Sequence, residues 1–178
     1  MSPSRSLAAG LAALLLVPSI ASAQVCVQPA EKIGFNIRAL QSQLMVAALA
    51  CGQQDDYNAF VRRYQNEVAG AFRSVAAHFR RTAGAQHQRQ LDQYITNLAN
   101  GQSQMSIARG SFFCREQAPL FQAAMTATNS AELAQVAVTL QVHQVLTTPE
   151  CPARPTTTTR QASNQQPRAS QQPATVTR

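Results

Sequence analysis

The feature that most constrains the fold is the helical spacing of apolar residues between positions 55 and 84. The apolar side chains there recur every three or four positions: Tyr57, Phe60, Val61, Tyr64, Val68, Ala71, Phe72, Val75 and Phe79. Because an α-helix has about 3.6 residues per turn, this spacing predicts one long amphipathic helix. Asp55 and Asp56 favour its first turn, where unpaired N–H groups attract negative charge, and Gly84 favours its end. No segment alternates between apolar and polar residues, so the predicted fold class is all-α.

Helices are also predicted on both sides of this long helix. The first runs over about residues 34–51, and Gly52 stands where a helix C-terminus often lies. Another covers about residues 86–108. It contains Asn100-Gly101, a pair that predicts a kink or a frayed turn.

The C-terminal part of the domain predicts two more helical stretches. The first, around residues 112–125, contains Pro119. Proline costs about 3 kcal/mol inside a helix, so we expect a break near Ala118. The second covers about residues 130–146 and follows Asn129, an N-cap with an acidic residue three positions later. The chain is expected to form a small antiparallel helical bundle of four to five helices, stapled by disulfides and followed by a disordered tail.

The N-terminus has the three parts of a secretory signal peptide. Arg5 supplies positive charge, residues 7–17 form an apolar run, and Ala21-Ser22-Ala23 supplies the small residues that signal peptidase accepts. The run is about half of the roughly 20 residues that span a bilayer, and we expect no transmembrane span in the mature chain. We predict cleavage near Ala23 and a periplasmic or secreted protein. The alternatives are an uncleaved membrane anchor and a lipoprotein modified at Cys26.

The domain organisation expected is a signal peptide at 1–23, a helical bundle at 24–151 and a tail at 152–178. The tail consists mostly of Pro, Thr, Gln, Ser, Ala and Arg, with Val176 as its one large apolar residue. Such a composition buries too little surface to offset ordering, so disorder is predicted. The formal net charge is +7, and the tail contributes four arginines and no acid. The bundle is therefore only weakly basic, and we expect no specific nucleic-acid partner.

Four cysteines follow the signal peptide: Cys26, Cys51, Cys114 and Cys151. An even number in an exported chain favours disulfides, and the lack of C-x-x-C argues against a redox motif or a zinc knuckle. If the helices alternate up and down, the last three cysteines come to the same end of the bundle. Cys26 reaches that end because about eight extended residues span roughly 26 Å. We predict Cys51–Cys114 and Cys26–Cys151, with Cys26–Cys51 and Cys114–Cys151 as the alternative.

The sequence lacks the signatures of catalysis and cofactor binding. It has no glycine-rich phosphate loop, no G-x-S-x-G and no H-E-x-x-H, so we expect no catalytic, cofactor-binding or metal-binding residues. His78 and His87 flank one predicted turn, but no carboxylate lies in that turn to complete a metal site. Glu67 and Asp92 could form a carboxylate pair across adjacent helices, although acidic residues on helices more often face solvent. We interpret the aromatic residues of the long helix as core rather than as a ligand groove.

In composition and signal type the chain resembles small secreted helical proteins of Gram-negative bacteria, which implies a place in the bacterial cell envelope. We expect a non-catalytic binding or interaction module there. Its partner would be an envelope protein or an anionic surface polymer that the sequence does not identify. One alternative is a small envelope enzyme acting on a cell-wall or small-molecule substrate. Another is an electrostatic role, in which the basic tail holds the protein to an anionic surface.

Overall fold

The computed structural model describes residues 25–152, and these are mostly helical. The α-helices in this range are α1 Pro29–Cys51, α2 Gln54–Arg63, α3 Gln65–Ala83, α4 His87–Arg109, α5 Phe113–Thr126 and α6 Ser130–Thr139. Short 3-10 turns at Gly84–Gln86 and Gly110–Phe112 join α3 to α4 and α4 to α5. No strand occurs between residues 25 and 152, so the predicted helical class is confirmed there. The predicted signal peptide and nearly all of the predicted tail lie outside the described residues.

The central helix of the fold is α1, which contacts each of the other five. Its buried apolar residues are Phe35, Ile37, Ala39, Leu40, Leu44, Val46, Ala47 and Ala48. The helix starts at Pro29, several residues before the predicted start. Proline suits the first helical position, and the Glu31 carboxylate accepts a hydrogen bond from the Gln28 N–H at 2.9 Å. None of the described helices, α1 included, is long and apolar enough to cross a membrane.

The long helix predicted after Asp55 is divided into α2 and α3 at Tyr64. The Tyr64 side chain is buried, and its hydroxyl lies 2.7 Å from the carbonyl oxygen of Ala124 and 2.8 Å from that of Ala127. These carbonyls lie at the end of α5, where the last C=O groups of a helix have no N–H partner in a following turn. The division lets α2 pack against α5 while α3 packs against α1 and α4. Periodicity did not reveal it, because the apolar spacing continues across Tyr64.

The apolar side chains form two cores on either side of α1. The first core lies among α1, α2, α5 and α6 and includes Leu40, Leu44, Phe60, Phe113 and Leu133. The second core lies among α1, α3 and α4 and includes Phe35, Val75, Phe79, Leu91, Tyr94 and Leu98. The rings of Phe35, Phe79 and Tyr94 meet edge-on or tilted, with centroids 5.2–6.2 Å apart.

The break predicted near Ala118 is wrong, because α5 runs unbroken through Pro119. Residues on both sides of the proline are buried, among them Phe113 before it and Leu120 and Phe121 after it. Burying a side chain of this size contributes about 1.5–3 kcal/mol. Several such contributions outweigh the cost of about 3 kcal/mol for proline in a helix.

The last helix, α6, ends at Thr139 and does not reach Leu146 as predicted. The residues that follow, 140–152, form what we call the return segment, which after a turn at its start contains neither helix nor strand. Its main chain forms hydrogen bonds with the residues that precede α1. The N–H of Val27 donates to Pro149 (2.8 Å), and the N–H of Cys151 donates to Val27 (2.8 Å). Val142 and Val145 of this segment pack against the cores, whereas Val138 lies in α6 and is 49% exposed.

Both cysteine pairs lie at disulfide distance. The Cα atoms of Cys26 and Cys151 are 4.8 Å apart, and those of Cys51 and Cys114 are 5.5 Å apart. The first pair joins the return segment to residues 25–28, which we call the lead-in to α1. The second pair joins the end of α1 to the start of α5. This proximity agrees with the predicted pairing. Oxidation of the isolated protein is tested by peptide mapping without reductant, which should yield these two linked peptides.

Candidate functional site

A cavity of about 270 Å³ lies between α1, α4, α5 and the return segment. Its polar lining comes from Gln43, Arg109, Glu116, Gln117, Gln141 and His143. Its apolar lining comes from Met105, Phe113, Pro119, Leu120, Leu140 and Val142. An apolar wall with a few convergent polar groups is typical of small-molecule sites. We call it the Gln43 cavity.

Gln43 occupies a core position in the middle of α1 and is only 1% exposed. Neither its side-chain nitrogen nor its oxygen has a hydrogen-bond partner within residues 25–152. Buried polar groups are nearly always paired, because an unmet donor or acceptor costs about 1–3 kcal/mol. Gln43 therefore brings an unsatisfied donor and an unsatisfied acceptor to the edge of the cavity. Both atoms are buried, so the amide has to turn to pair with a ligand there.

Two opposite charges stand at the rim of the cavity. Arg109 is the last residue of α4, and Glu116 lies in the first turn of α5. These positions suit the helix dipoles, which favour cations at C-termini and anions at N-termini. The Arg109 Nε and the Glu116 Oε2 are 3.6 Å apart, with side chains 60% and 43% exposed. An exposed pair at this separation contributes about 0–1 kcal/mol, so both charges can exchange their partner for a ligand at little cost.

The back of the cavity is held by contacts between α4 and the return segment. The Gln102 side-chain nitrogen donates to the carbonyl oxygens of Ala39 (3.0 Å) and His143 (3.1 Å). A Cβ on Gly101 would lie 2.7 Å from the His143 Nε2, so the glycine leaves the space that the imidazole fills. The helix continues through Gly101, where the sequence predicted a kink or a frayed turn. Close packing, rather than a break in the helix, accounts for this glycine.

The turn that leads into the cavity wall has an unusual backbone. Gln141 has φ of 50°, in the left-handed region that residues other than glycine rarely adopt. It follows the helix end: the N–H of Gln141 donates to Val138 and the N–H of Val142 donates to Ala137. These two bonds form a Schellman motif, in which glycine usually occupies the place of Gln141. Because no glycine or asparagine marks this position, the end of α6 could not be seen in the sequence.

An ionic cluster away from the cavity joins the start of α1 to the end of α3. Arg81 contacts both oxygens of Glu31, with Nε–Oε1 at 3.1 Å and Nη2–Oε2 at 2.6 Å, and donates to the Cys26 carbonyl at 2.7 Å. The buried His78 lies 2.9 Å from Oε2 of the same carboxylate. Burial raises the pKa of Glu31, but hydrogen bonds from the guanidinium, the Gln28 N–H and the imidazole outweigh it and lower that pKa below its ordinary value. The cluster stabilises the lead-in.

The histidines and carboxylates weighed in the sequence do not form a site in the structure. His78 belongs to the ionic cluster, whereas the Nδ1 of His87 lies 2.9 Å from a main-chain carbonyl of the preceding 3-10 turn. Asp92 accepts a hydrogen bond from Gln88 at 3.0 Å, and no ion pair or hydrogen bond joins it to Glu67 in the part of the chain described. Within that part, no group of three or more His, Cys, Asp or Glu is placed to hold a metal ion.

The aromatic residues of α2 and α3 divide between core and surface. Those buried in the two cores are Phe60, Tyr64 and Phe79. Phe72 is 42% exposed, and the guanidinium of Arg38 lies 5.7 Å from the centre of its ring. Tyr57 is half-buried against the first core. These residues do not line the Gln43 cavity, which draws its aromatic wall from Phe113.

Comparison of the chain with protein-family models, curated proteins and solved structures found no match. Its function has therefore to be argued from the Gln43 cavity. The sequence did hold one signal of that site. Gln43 shares a helix face with Ala39, Leu40, Val46 and Ala47, which are all buried. A lone amide at such a position predicts either a buried partner or a ligand.

Proposed function

We propose that this chain is a non-catalytic exported binding module of the bacterial cell envelope, and that it takes a small molecule into the Gln43 cavity. The observation that carries the proposal is the Gln43 amide, buried in the cavity wall with both polar atoms unpartnered among the described residues. Natural folds leave few such groups unmet. A ligand that pairs with the amide removes this cost.

The remaining polar groups of the cavity favour binding over catalysis. Half of them are carboxamides, which neither titrate nor attack a substrate. Among the described residues that line the cavity there is no serine, threonine or cysteine to act as a nucleophile. The two groups with acid–base chemistry are Glu116, which pairs with Arg109, and His143, which packs over Gly101.

The exported location in this proposal is supported by two observations. The sequence begins with the pattern of a cleavable signal peptide. Both cysteine pairs lie at disulfide distance, as expected in an oxidising compartment. The proposal includes an antiparallel bundle packed around α1, in which the two disulfides hold the ends of the bundle and the return segment closes one wall of the cavity.

Native mass spectrometry of the protein purified from the periplasm tests this proposal. The full sequence, expressed with its own N-terminus in a Gram-negative host, should yield a chain beginning at Gln24 with a small bound molecule that denaturation releases. Leu140→Trp fills the cavity from its rim and should abolish the adduct. Ile107→Trp changes a residue of α4 that is 79% exposed and outside the cavity lining, so it should keep the adduct.

The proposal fails if the chain stays in the cytoplasm, if no adduct accompanies the exported protein, or if Leu140→Trp carries the adduct as well as wild type does. Circular dichroism of both tryptophan variants shows whether each is folded. An adduct that disappears only with Leu140→Trp places the ligand in the cavity rather than on the outer surface.

A second candidate function is electrostatic attachment through residues 152–178, favoured by four arginines without an acid in that stretch. Deleting residues 153–178 separates the two functions. Binding to vesicles that contain anionic phospholipid should be lost if the tail is responsible, while the cavity adduct should persist. Salt should weaken the first interaction far more than the second.

A further inference from the structure

The Gln43 amide restricts which chemical groups can satisfy it. Its nitrogen donates and its oxygen accepts, and both atoms lack a partner within residues 25–152. A carboxylate or a phosphate only accepts hydrogen bonds, so it would leave the Gln43 oxygen unmet. An amide in the ligand offers a donor and an acceptor in matching geometry. The group best suited to the inner wall is therefore another amide.

The charges at the rim restrict the other end of the ligand. Arg109 and Glu116 lie on the consecutive helices α4 and α5, with the Arg109 Nε and the Glu116 Oε2 3.6 Å apart. A purely anionic ligand would pair with the Arg109 guanidinium but be repelled by the Glu116 carboxylate. A purely cationic ligand would pair with the carboxylate but be repelled by the guanidinium. A zwitterion pairs with both, because its carboxylate suits Arg109 and its ammonium suits Glu116. The rim therefore favours a ligand that carries both charges and no net charge.

The volume limits the ligand to a small molecule. The cavity has about 270 Å³, and one water molecule takes about 30 Å³ in the liquid. About nine waters fit, which corresponds to roughly ten non-hydrogen atoms. Sites for drug-sized molecules begin at about 300 Å³. A sugar polymer or a lipid chain is too large to be enclosed.

We infer that the Gln43 cavity binds a small zwitterionic amide: a free amino acid with a side-chain carboxamide, or a dipeptide of two small residues. Its amide pairs with Gln43 at the inner wall, and its charged groups replace the contact between Arg109 and Glu116 at the rim. The terminal torsion of a glutamine side chain is soft, so the buried amide turns toward the ligand as it enters. This inference rests on the proposed function, since it names the ligand of the same cavity.

Isothermal titration calorimetry of the exported protein tests the inference with three probes: L-glutamine, L-alanyl-L-alanine and L-glutamate. Glutamine and glutamate have the same size and the same α-ammonium and α-carboxylate groups, and they differ in the side chain, where glutamate has a charged carboxylate in place of the neutral amide. We expect at least one amide probe to bind about 10- to 100-fold more tightly than glutamate, the range expected for one unmet buried polar group. Whichever amide probe binds more tightly identifies the source of the amide.

Two variants assign the binding to the proposed residues. Gln43→Leu should abolish the preference for the tighter-binding amide probe over glutamate, whereas Gln104→Leu, at an exposed residue of α4, should retain it. Arg109→Gln should weaken all three probes about equally and keep their order, because it removes the partner of the shared carboxylate. Arg109 is largely exposed, so this variant stays informative even if Gln43→Leu does not fold.

The inference is overturned if neither amide probe binds, or if glutamate binds as tightly as the better amide probe does. It is also overturned if Gln43→Leu keeps the preference. Its failure is distinguishable from failure of the proposed function, which is judged by the adduct carried by the exported protein. An adduct of different chemistry, lost in Leu140→Trp, would leave the binding module standing and refute the zwitterionic amide.

Discussion

Replacing Gln43 by leucine is expected to stabilise the free protein, although the change falls in the middle of its central helix. The substitution removes two buried groups that have no partner among the described residues. Each such group costs about 1–3 kcal/mol, so the pair costs about 2–6 kcal/mol. Leucine has one non-hydrogen atom fewer than glutamine and leaves a small gap, which destabilises the protein by about 1 kcal/mol. The free energy of unfolding should therefore rise by about 1 kcal/mol or more.

Urea unfolding of the oxidised protein, followed by far-ultraviolet circular dichroism, measures this change. With an m-value of about 2 kcal/mol per molar urea, a gain of about 1 kcal/mol moves the midpoint up by roughly 0.5 M. The matched control is Gln104→Leu, which makes the same replacement at an exposed position of α4. Surface substitutions of this kind usually change stability by less than about 0.5 kcal/mol.

A midpoint for Gln43→Leu that stays unchanged or falls, relative to wild type, would refute this reasoning. It would show that the amide is satisfied in solution, for example by ordered water in the cavity. The inner wall would then offer a ligand no unmet donor or acceptor. The affinity argued for a zwitterionic amide would lose its physical basis, whatever happened at the rim.

Three further changes test other parts of the structure. Gly101→Ala should lower stability in urea unfolding, because its Cβ would meet the His143 ring at 2.7 Å; with His143→Ala also present, it should raise stability by about 1 kcal/mol, the difference in helix propensity. Gln141→Gly should raise stability by about 1 kcal/mol in thermal unfolding, since glycine adopts φ of 50° without strain. Glu31→Gln should flatten the loss of stability in acid. The folded-state pKa of Glu31 is lowered, so its contribution is present above the unfolded-state pKa and is lost as pH falls through the folded-state pKa; urea unfolding from about pH 7 to pH 3 measures it.

Each of these three changes has an outcome that contradicts the structure. Equal stabilisation by Gly101→Ala with and without His143 would mean that the ring does not lie over the glycine. Destabilisation by Gln141→Gly would place that residue outside the left-handed region. Parallel acid curves for wild type and Glu31→Gln would mean that the ionic cluster does not depress the pKa of this carboxylate.

The cavity illustrates why a binding site is harder to predict from a sequence than a fold class. Gln43 is recognisable as a polar residue on an apolar helix face, but the sequence does not show whether another residue in the core forms a hydrogen bond with its side chain. That answer depends on α4, α5 and the return segment, which lie far along the chain. Arg109 and Glu116 come together across the short 3-10 turn, Gly110–Phe112, that joins α4 to α5.

The sequence by itself determined the helical class and the apolar faces of the helices, because these follow from spacing within one or two turns. It also indicated which cysteines would approach each other, since helix lengths limit where the chain ends can lie. Only the tertiary structure decided that α6 stops at Thr139 and that residues 140–152 leave the helix. That segment is stabilised by the hydrogen bond from Gln102 to the His143 carbonyl, by main-chain hydrogen bonds with Val27 and by packing of its valines against the second core. These partners lie far from the segment in sequence. Local preferences cannot report such contacts, and the Gln43 cavity exists because of them.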